Sequence, residues 1–589
     1  MLRNENLRRT PSARRFRVAA FSSTSVIGSA MIASGASGAV LFLTMLSSAL
    51  GSQASAIKWL QPIITALGFG TIGASQPVVS TPTPTPSAVT VTEPVKSSGL
   101  DTGTGGVPRM KLGVNLEMPT YWGGVRAFSN LVLQSPWWLA PANSSWVSLG
   151  ADRLDRNQNL INPVAGEKVV RSVVVPTDAL RGRSVDIICR WAGKAKVRTQ
   201  GATAQNTKVS DHSLTFTFVP NGLNSATLMI SDIDTSDSIR NIDCRETDAD
   251  PNAVYDPRFV ESLKHYDTLR FMKWQRAVES NVPVSWATRT LPTANSYMST
   301  GDGVSIEHMV LLANLTGTNP WFCIPWNADE EYIRKFAEYV RDNLEPNLVA
   351  YVELSNEVWN SSYKVHKQAL QEGTDRNLAS GYGAILNYRY AERTGEVMDV
   401  WKAVFASNPE RIVRVLATQN AVPWNAQTAL NYKDTASKID ALATAPYFAR
   451  TLAAGEQPSA DFFSKVLVDQ MDFRLANAAE NKALAESKGL RFITYEAGQH
   501  VTIANKADVP TLTRIERDPR MGDLYTRYLT KWKNDFGDLM VLYSAWDPIG
   551  QYGAWGMQEY FGQPLEDAPK ARAVDMFRQS YLMKGGENR

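Results

Sequence analysis

From Lys111 onward, short runs of β-favouring residues alternate with amphipathic helical patterns, and that rhythm leaves few folds open. The runs occupy 111–116, 268–274, 321–326, 351–355, 412–417, 441–447, 492–495 and 540–546. Between the third and fourth, Asp329 is placed to cap a helix in which Ile333, Phe336, Ala337, Val340 and Leu344 recur at helical spacing. Similar patterns fill 384–406, 459–488, 522–536 and 569–582. Eight such units predict an α/β chain folded as a (β/α)8 TIM barrel over 109–585. Its parallel strands would all end at one rim.

One interval breaks the rhythm. About 150 residues separate the first two runs, and they read as short strands at 169–175, 185–191, 214–219, 226–230 and 239–242. This predicts a β-sandwich over 145–250, inserted after the first barrel strand, with either a packing role or contact with a glycan. Cys189 and Cys244 lie in its two halves and can pair in an oxidising compartment, whereas Cys323 falls inside a barrel strand as a buried thiol.

The first 108 residues are of another kind. An Arg-rich start, an apolar stretch densest over 38–50 and Gln53-Ala54-Ser55-Ala56 describe an export signal or membrane anchor over 1–56. Residues 57–108 hold a second apolar stretch and a Thr/Pro-rich spacer around Thr81-Pro82-Thr83-Pro84. An exported protein of the cell envelope or exterior is expected, with membrane association through the N-terminus.

Net charge is +3, but six Arg stand against Glu5 within residues 1–20, so the rest of the 589-residue chain is close to neutral. No basic stripe argues for a nucleic acid partner. With five scattered His and three Cys, no metal and no cofactor are expected. A monomer is expected.

Two glutamates carry the functional signal. Glu357 ends the fourth run in Ser355-Asn356-Glu357-Val358-Trp359-Asn360, and Glu496 ends the seventh in Tyr495-Glu496-Ala497-Gly498. On parallel barrel strands both emerge at the same rim. Two carboxylates facing one cleft are the minimal apparatus for hydrolysing a glycosidic bond. Arg270 in the second run can hold one of them ionised, and Tyr447 after the sixth can donate to Glu496. Asn356 can meet a sugar 2-hydroxyl. The 16 Trp suit sugar stacking where they follow strands, which nominates Trp274, Trp326, Trp359 and Trp546. Asn327 and Gln275 are candidate hydroxyl partners, His500 a candidate cleft residue, and Asp547 either a sugar ligand or a loop cap. Glu353 reads equally as support for the site or as a barrel-interior ion pair. His366 and His265 read as helix-surface residues.

The pattern resembles clan A of the glycoside hydrolases, the (β/α)8 group that includes cellulases and mannanases. The matching positions are Asn356-Glu357, Glu496, Arg270, Tyr447 and Trp546, and a His that several clan families place two residues before the Tyr is Ala445 here. The resemblance implies that Glu357 is the acid/base and Glu496 the nucleophile, with the two carboxyl groups roughly 5–5.5 Å apart and retention of anomeric configuration. It also resembles exported bacterial proteins loosely called cellulose-binding. The expectation is a retaining, endo-acting hydrolase of a β-linked polysaccharide. A non-catalytic glycan-binding matrix protein and a transglycosylase remodelling exopolysaccharide are the competing readings.

Overall fold

The computed structural model describes residues 110–582, apart from 143–144, 223–224, 279–282 and 300–302. The expected export signal and Thr/Pro spacer lie outside the described residues. Among the described residues, no helix is long and apolar enough to cross a membrane.

Eight parallel strands form the barrel: β1 (Lys111–Asn115), β2 (Thr268–Arg270), β3 (Asn319–Ile324), β4 (Ala350–Leu354), β5 (Ile412–Ala417), β6 (Ala441–Thr444), β7 (Arg491–Thr494) and β8 (Leu539–Leu542). They are hydrogen-bonded in the order β7-β6-β5-β4-β3-β2-β1-β8. Between β7 and β8 the Val541 N–H donates to Thr494 Oγ1 at 2.8 Å and the Tyr543 N–H to Ala497 O at 3.0 Å, which brings the two ends together.

Strand alternation divides the core in two. Even-numbered residues of β4 (Val352, Leu354) face the helices, with Leu112, Val114, Phe322, Leu442 and Leu542. The opposite set fills the barrel: Trp321, Cys323, Tyr351, Val415, Ala443, Ile493 and Val541 form a separate interior cluster. Arg270 and Glu353 belong to this inward set. Register places Asn115 beside Arg270, Arg270 beside Trp321, and Cys323 beside Glu353. A cation and a carboxylate are therefore forced into one dry interior, where each requires the other.

Three expected strands were drawn too long. β2 stops at Arg270, β6 at Thr444 and β8 at Leu542, because apolar residues beyond those points pack in rim turns rather than pairing in the ladder. After β6 and β7 the chain continues as a parallel pair, Phe448–Leu452 with Gln499–Ile503, which carries His500 on the rim.

The insert consists of two antiparallel sheets. One joins Arg240–Glu246, Val185–Ala192, Ser213–Phe218 and Ala204–Ser210; the other joins Val147–Ser148, Trp138–Leu139, Val169–Val174, Ser225–Ser231 and Lys196–Gln200. Their facing residues, among them Val173, Ile187, Phe216, Leu228 and Ile242, form one core. Trp138–Leu139 lies ahead of the expected boundary at 145. Cys189 and Cys244 are cross-strand partners joined by a disulfide. The chain leaves and re-enters the barrel at one place, where Phe128 pairs with Tyr255. Arg171 locks the insert down. Fully buried under Trp137, it donates to the carbonyls of Val132, Ser135 and Asn295 at 2.7–3.1 Å.

Candidate active site

The Arg270 guanidinium is the hub of the rim. It is fully buried and donates from Nη1 to Glu496 Oε1 at 2.8 Å and to Asn115 Oδ1 at 3.0 Å. Nη2 donates to Asn356 Oδ1 at 2.7 Å, and Nε and Nη2 clasp Glu353 at 2.9–3.1 Å. Glu353 also accepts from Trp321 Nε1 at 2.8 Å and from the Cys323 thiol at 3.5 Å. Of the two readings of Glu353, the contacts are those of an interior ion pair that also orients the rim arginine.

The two rim carboxylates sit in different surroundings. Glu496 faces Arg270 on one oxygen and accepts from the Tyr447 hydroxyl on the other, at 3.1 Å. Glu357 accepts only from neutral donors, the Tyr495 hydroxyl on Oε1 at 3.0 Å and Asn360 Nδ2 on Oε2 at 2.9 Å. Burial pushes the Glu496 carboxyl up to about 7, against the pull of Arg270 and with a further push from Glu357. Burial likewise raises Glu357, opposed by Asn360 and Tyr495. The pair therefore titrates as a unit, and two neighbouring charges are disfavoured. Among the described residues, Arg270 is the cation hydrogen-bonded to the pair, and it touches Glu496, which favours a shared negative charge on that side and the proton on Glu357.

Local backbone aims these groups. Past β4, Ser355 (φ 58°) and Glu357 (φ 44°) adopt the left-handed conformation that side-chain-bearing residues avoid, on either side of Asn356. This winds the strand end so that Asn356 reaches inward to Arg270 while Glu357 turns toward Tyr495. Holding two such residues costs on the order of 1–3 kcal/mol each, a strain typical of functional sites. Asn356 Oδ1 is committed to Arg270, which leaves its amide N–H group as the free end of the side chain.

The tryptophans require correction. Trp274 is buried against Phe128, Tyr255 and Phe259, its indole N–H donating to Glu117 O at 2.9 Å. Trp546 is buried between Phe259 and Phe561 and bonded to Gln558. Trp326 is buried under Arg389 and bonded to Glu372. The sequence pattern expects all three in the groove because they follow strand-like runs, but each sits in the layer between barrel and helices. Trp359 is half-buried, its indole N–H without a protein partner in the structure. Asn327 is half-buried and shares a reciprocal pair of hydrogen bonds with Gln368. Gln275 Oε1 accepts the Cys323 N–H. His366 is buried against the Val358 carbonyl rather than on the surface.

The aromatic wall of the site comes from elsewhere. Trp555, in the long segment after β8, bonds His500 Nδ1 at 3.3 Å and lies 6.0 Å from the Tyr543 ring. His500 packs edge-on against Tyr447. The Trp555 ring lies over Gly553, where a β-carbon would meet it at 2.5 Å. Tyr543 directly follows β8, where the sequence pattern expects Trp546, close enough to Glu117 and Glu496 that their charges add to burial in raising its hydroxyl. Burial, followed by the Glu117 charge, also raises Asp547 to about 7. Asn115, Tyr495, Asn360, Tyr543 and Trp555 had no assigned role in the sequence. Tyr495 was signalled by its place before Glu496, whereas Trp555 lies where no periodicity exists to place it.

No family model matches the chain, and no curated protein matches it. Among solved structures, it is similar to a GH51 arabinofuranosidase from Xanthomonas axonopodis pv. citri, at 12% identity over 51% of this chain and 62% of that one, with a TM-score of 0.34. It is similar to a Bacteroidetes-affiliated GH5 cellulase at 13% identity, over 56% of this chain and 84% of that one, with a TM-score of 0.29. A GH5 xyloglucan-specific endo-β-1,4-glucanase from a metagenomic library shows 11% identity, over 53% and 86% of the two chains, and a TM-score of 0.27. The chain thus spans less than two thirds of the length of the arabinofuranosidase. The barrel itself rests on its strand order and register, and the chemistry on its side chains.

Proposed function

We propose that the chain is a retaining glycoside hydrolase that cleaves a β-linked polysaccharide by double displacement, working as an exported or envelope protein. The observation that carries this reading is the asymmetry between two rim carboxylates, buried Glu496 and half-buried Glu357. Glu496 has a cation and a hydroxyl to support its charge, whereas Glu357 has neutral donors that leave it able to hold a proton. One nucleophile and one acid at one rim are what the reaction needs.

In the first step, a Glu496 oxygen attacks the anomeric carbon while Glu357 gives its proton to the departing glycosidic oxygen, so the C–O bond breaks with its electron pair neutralised. Glu496 is then esterified and its charge is gone, which removes the like charge that kept Glu357 protonated. Glu357, now a carboxylate, takes a proton from water as that water attacks the same carbon from the vacated side. The ester bond breaks and Glu496 regains its charge beside Arg270. Two inversions return the original anomeric configuration.

The test is incubation with a panel of β-glucans, xylan and mannan, with the product anomer read by proton NMR before mutarotation. Retained product is expected. Inverted product, or no new reducing ends from any member, overturns the proposal.

A further inference from the structure

We infer that a row of aromatic rings where the insert meets the barrel rim is a second glycan-binding surface, which grips the polysaccharide chain beyond the cleft. The inference rests on the hydrolase reading above. The row runs Trp122, Tyr121, Trp138, Trp146. Trp122 and Tyr121 have ring centroids 4.6 Å apart, Tyr121 and Trp138 4.8 Å, and Trp138 and Trp146 6.0 Å. The row has a built base: Trp138 is buried with Val170 and Met229 and carries Tyr121 against it. Its two ends are open, with Trp122 59% and Trp146 42% exposed. Indoles held at this exposure by buried neighbours offer the flat apolar faces on which pyranose rings stack.

Continuity with the cleft identifies the occupant. Tyr121 and Trp122 belong to the loop that leaves β1, only five residues beyond Glu117, whose charge acts on Tyr543 beside Glu496. Five residues reach at most about 17 Å. The loop is tied to the segment after β8 by the Phe561 N–H donating to Gly124 O at 2.8 Å, and Arg171 holds the insert to the barrel. Rim and row are therefore tied to each other on both sides of the β1 loop. A polymer leaving the active site toward β1 meets Trp122 first and Trp146 last.

The experiment uses the whole protein with Trp122→Ala and Trp146→Ala, singly and together. Affinity electrophoresis is run in gels containing hydroxyethyl cellulose, barley β-glucan, xylan or galactomannan, alongside turnover of the same polymers and of a short aryl glycoside. The expected result is retardation of the parental protein by at least one polymer. Binding should be roughly tenfold weaker in the double variant, with aryl glycoside turnover unchanged. Retention by Trp122→Phe/Trp146→Phe would support stacking. Equal retardation of parent and double variant overturns the inference but leaves the hydrolase reading standing. Absent turnover together with retardation that depends on the two Trp supports the surface while sinking that reading. A parental dimer that the double variant converts to monomer, with polymer binding unaffected, assigns the row to self-association and overturns the inference.

Discussion

The Tyr495 hydroxyl donates to Glu357 Oε1 across 3.0 Å, so the residue preceding one rim carboxylate holds the other. Tyr447 does the corresponding work for Glu496 at 3.1 Å. Each carboxylate thus has its own tyrosine, and the two can be removed one at a time.

Removing them should move opposite limbs of the pH–rate profile. The Tyr447 bond lowers the Glu496 pKa, so Tyr447→Phe raises it and activity should appear only at higher pH on the acid side. The Tyr495 bond lowers that of Glu357, so Tyr495→Phe should carry the alkaline limb upward instead. Each variant should lose on the order of tenfold in kcat/KM. Movement of the same limb in both would reverse or void the assigned roles.

Stability carries a second signature. Burial pushes both carboxyls of the coupled pair up in the folded chain, Glu496 to about 7 against an ordinary value of 4.5, so the native state binds more protons than the unfolded state between those values. Stability must fall as pH rises through that window and level off above it. Glu496→Gln removes this loss: it should melt like the parent near pH 4 and be more stable at pH 8, by at most about 3 kcal/mol. A variant less stable than the parent at pH 8 would show that the Arg270 contact outweighs burial.

Arg270 holds Glu353 and Glu496 together in a dry interior. Arg270→Leu should cost roughly 3–5 kcal/mol, because two buried carboxylates lose their cation. Adding Glu353→Leu should return part of that stability without returning activity. Denaturant unfolding and aryl glycoside turnover, measured on the same samples, separate the two effects. Recovery of turnover in the double variant would show that Arg270 has no role in positioning Glu496.

The two tryptophans near β8 should fail in different ways. Trp546 is 4% exposed between Phe259 and Phe561, so Trp546→Ala should cost about 3–5 kcal/mol of stability. Trp555 stands at the rim beside His500 and Tyr543, so Trp555→Ala should raise KM for oligosaccharides with far less effect on melting. Equal turnover by parent and Trp555→Ala would remove it from the cleft.

Local patterning was enough for the barrel and for its two glutamates. The β-favouring runs recur eight times, and strand periodicity puts Trp321 and Cys323 on one face, while register brings Arg270 and Glu353 to it. A carboxylate at the end of a parallel strand must then emerge at the common rim. Strand ends were not legible, since Phe271–Trp274 and Tyr543–Trp546 are as apolar as the strands before them. Whether such a residue pairs in the ladder or packs in a turn depends on what lies opposite, and for Trp274 and Trp546 that is Phe259, on the helix leading into β2. Long-range placement decided the rest. Tyr495 reaches Glu357 from 138 residues away, and Trp555 reaches the rim only because the segment after β8 folds back over the barrel. Local order of residues says which side chains can carry charge at the rim. Which carboxylate receives the cation and which indoles face solvent depend on neighbours that no local period encodes.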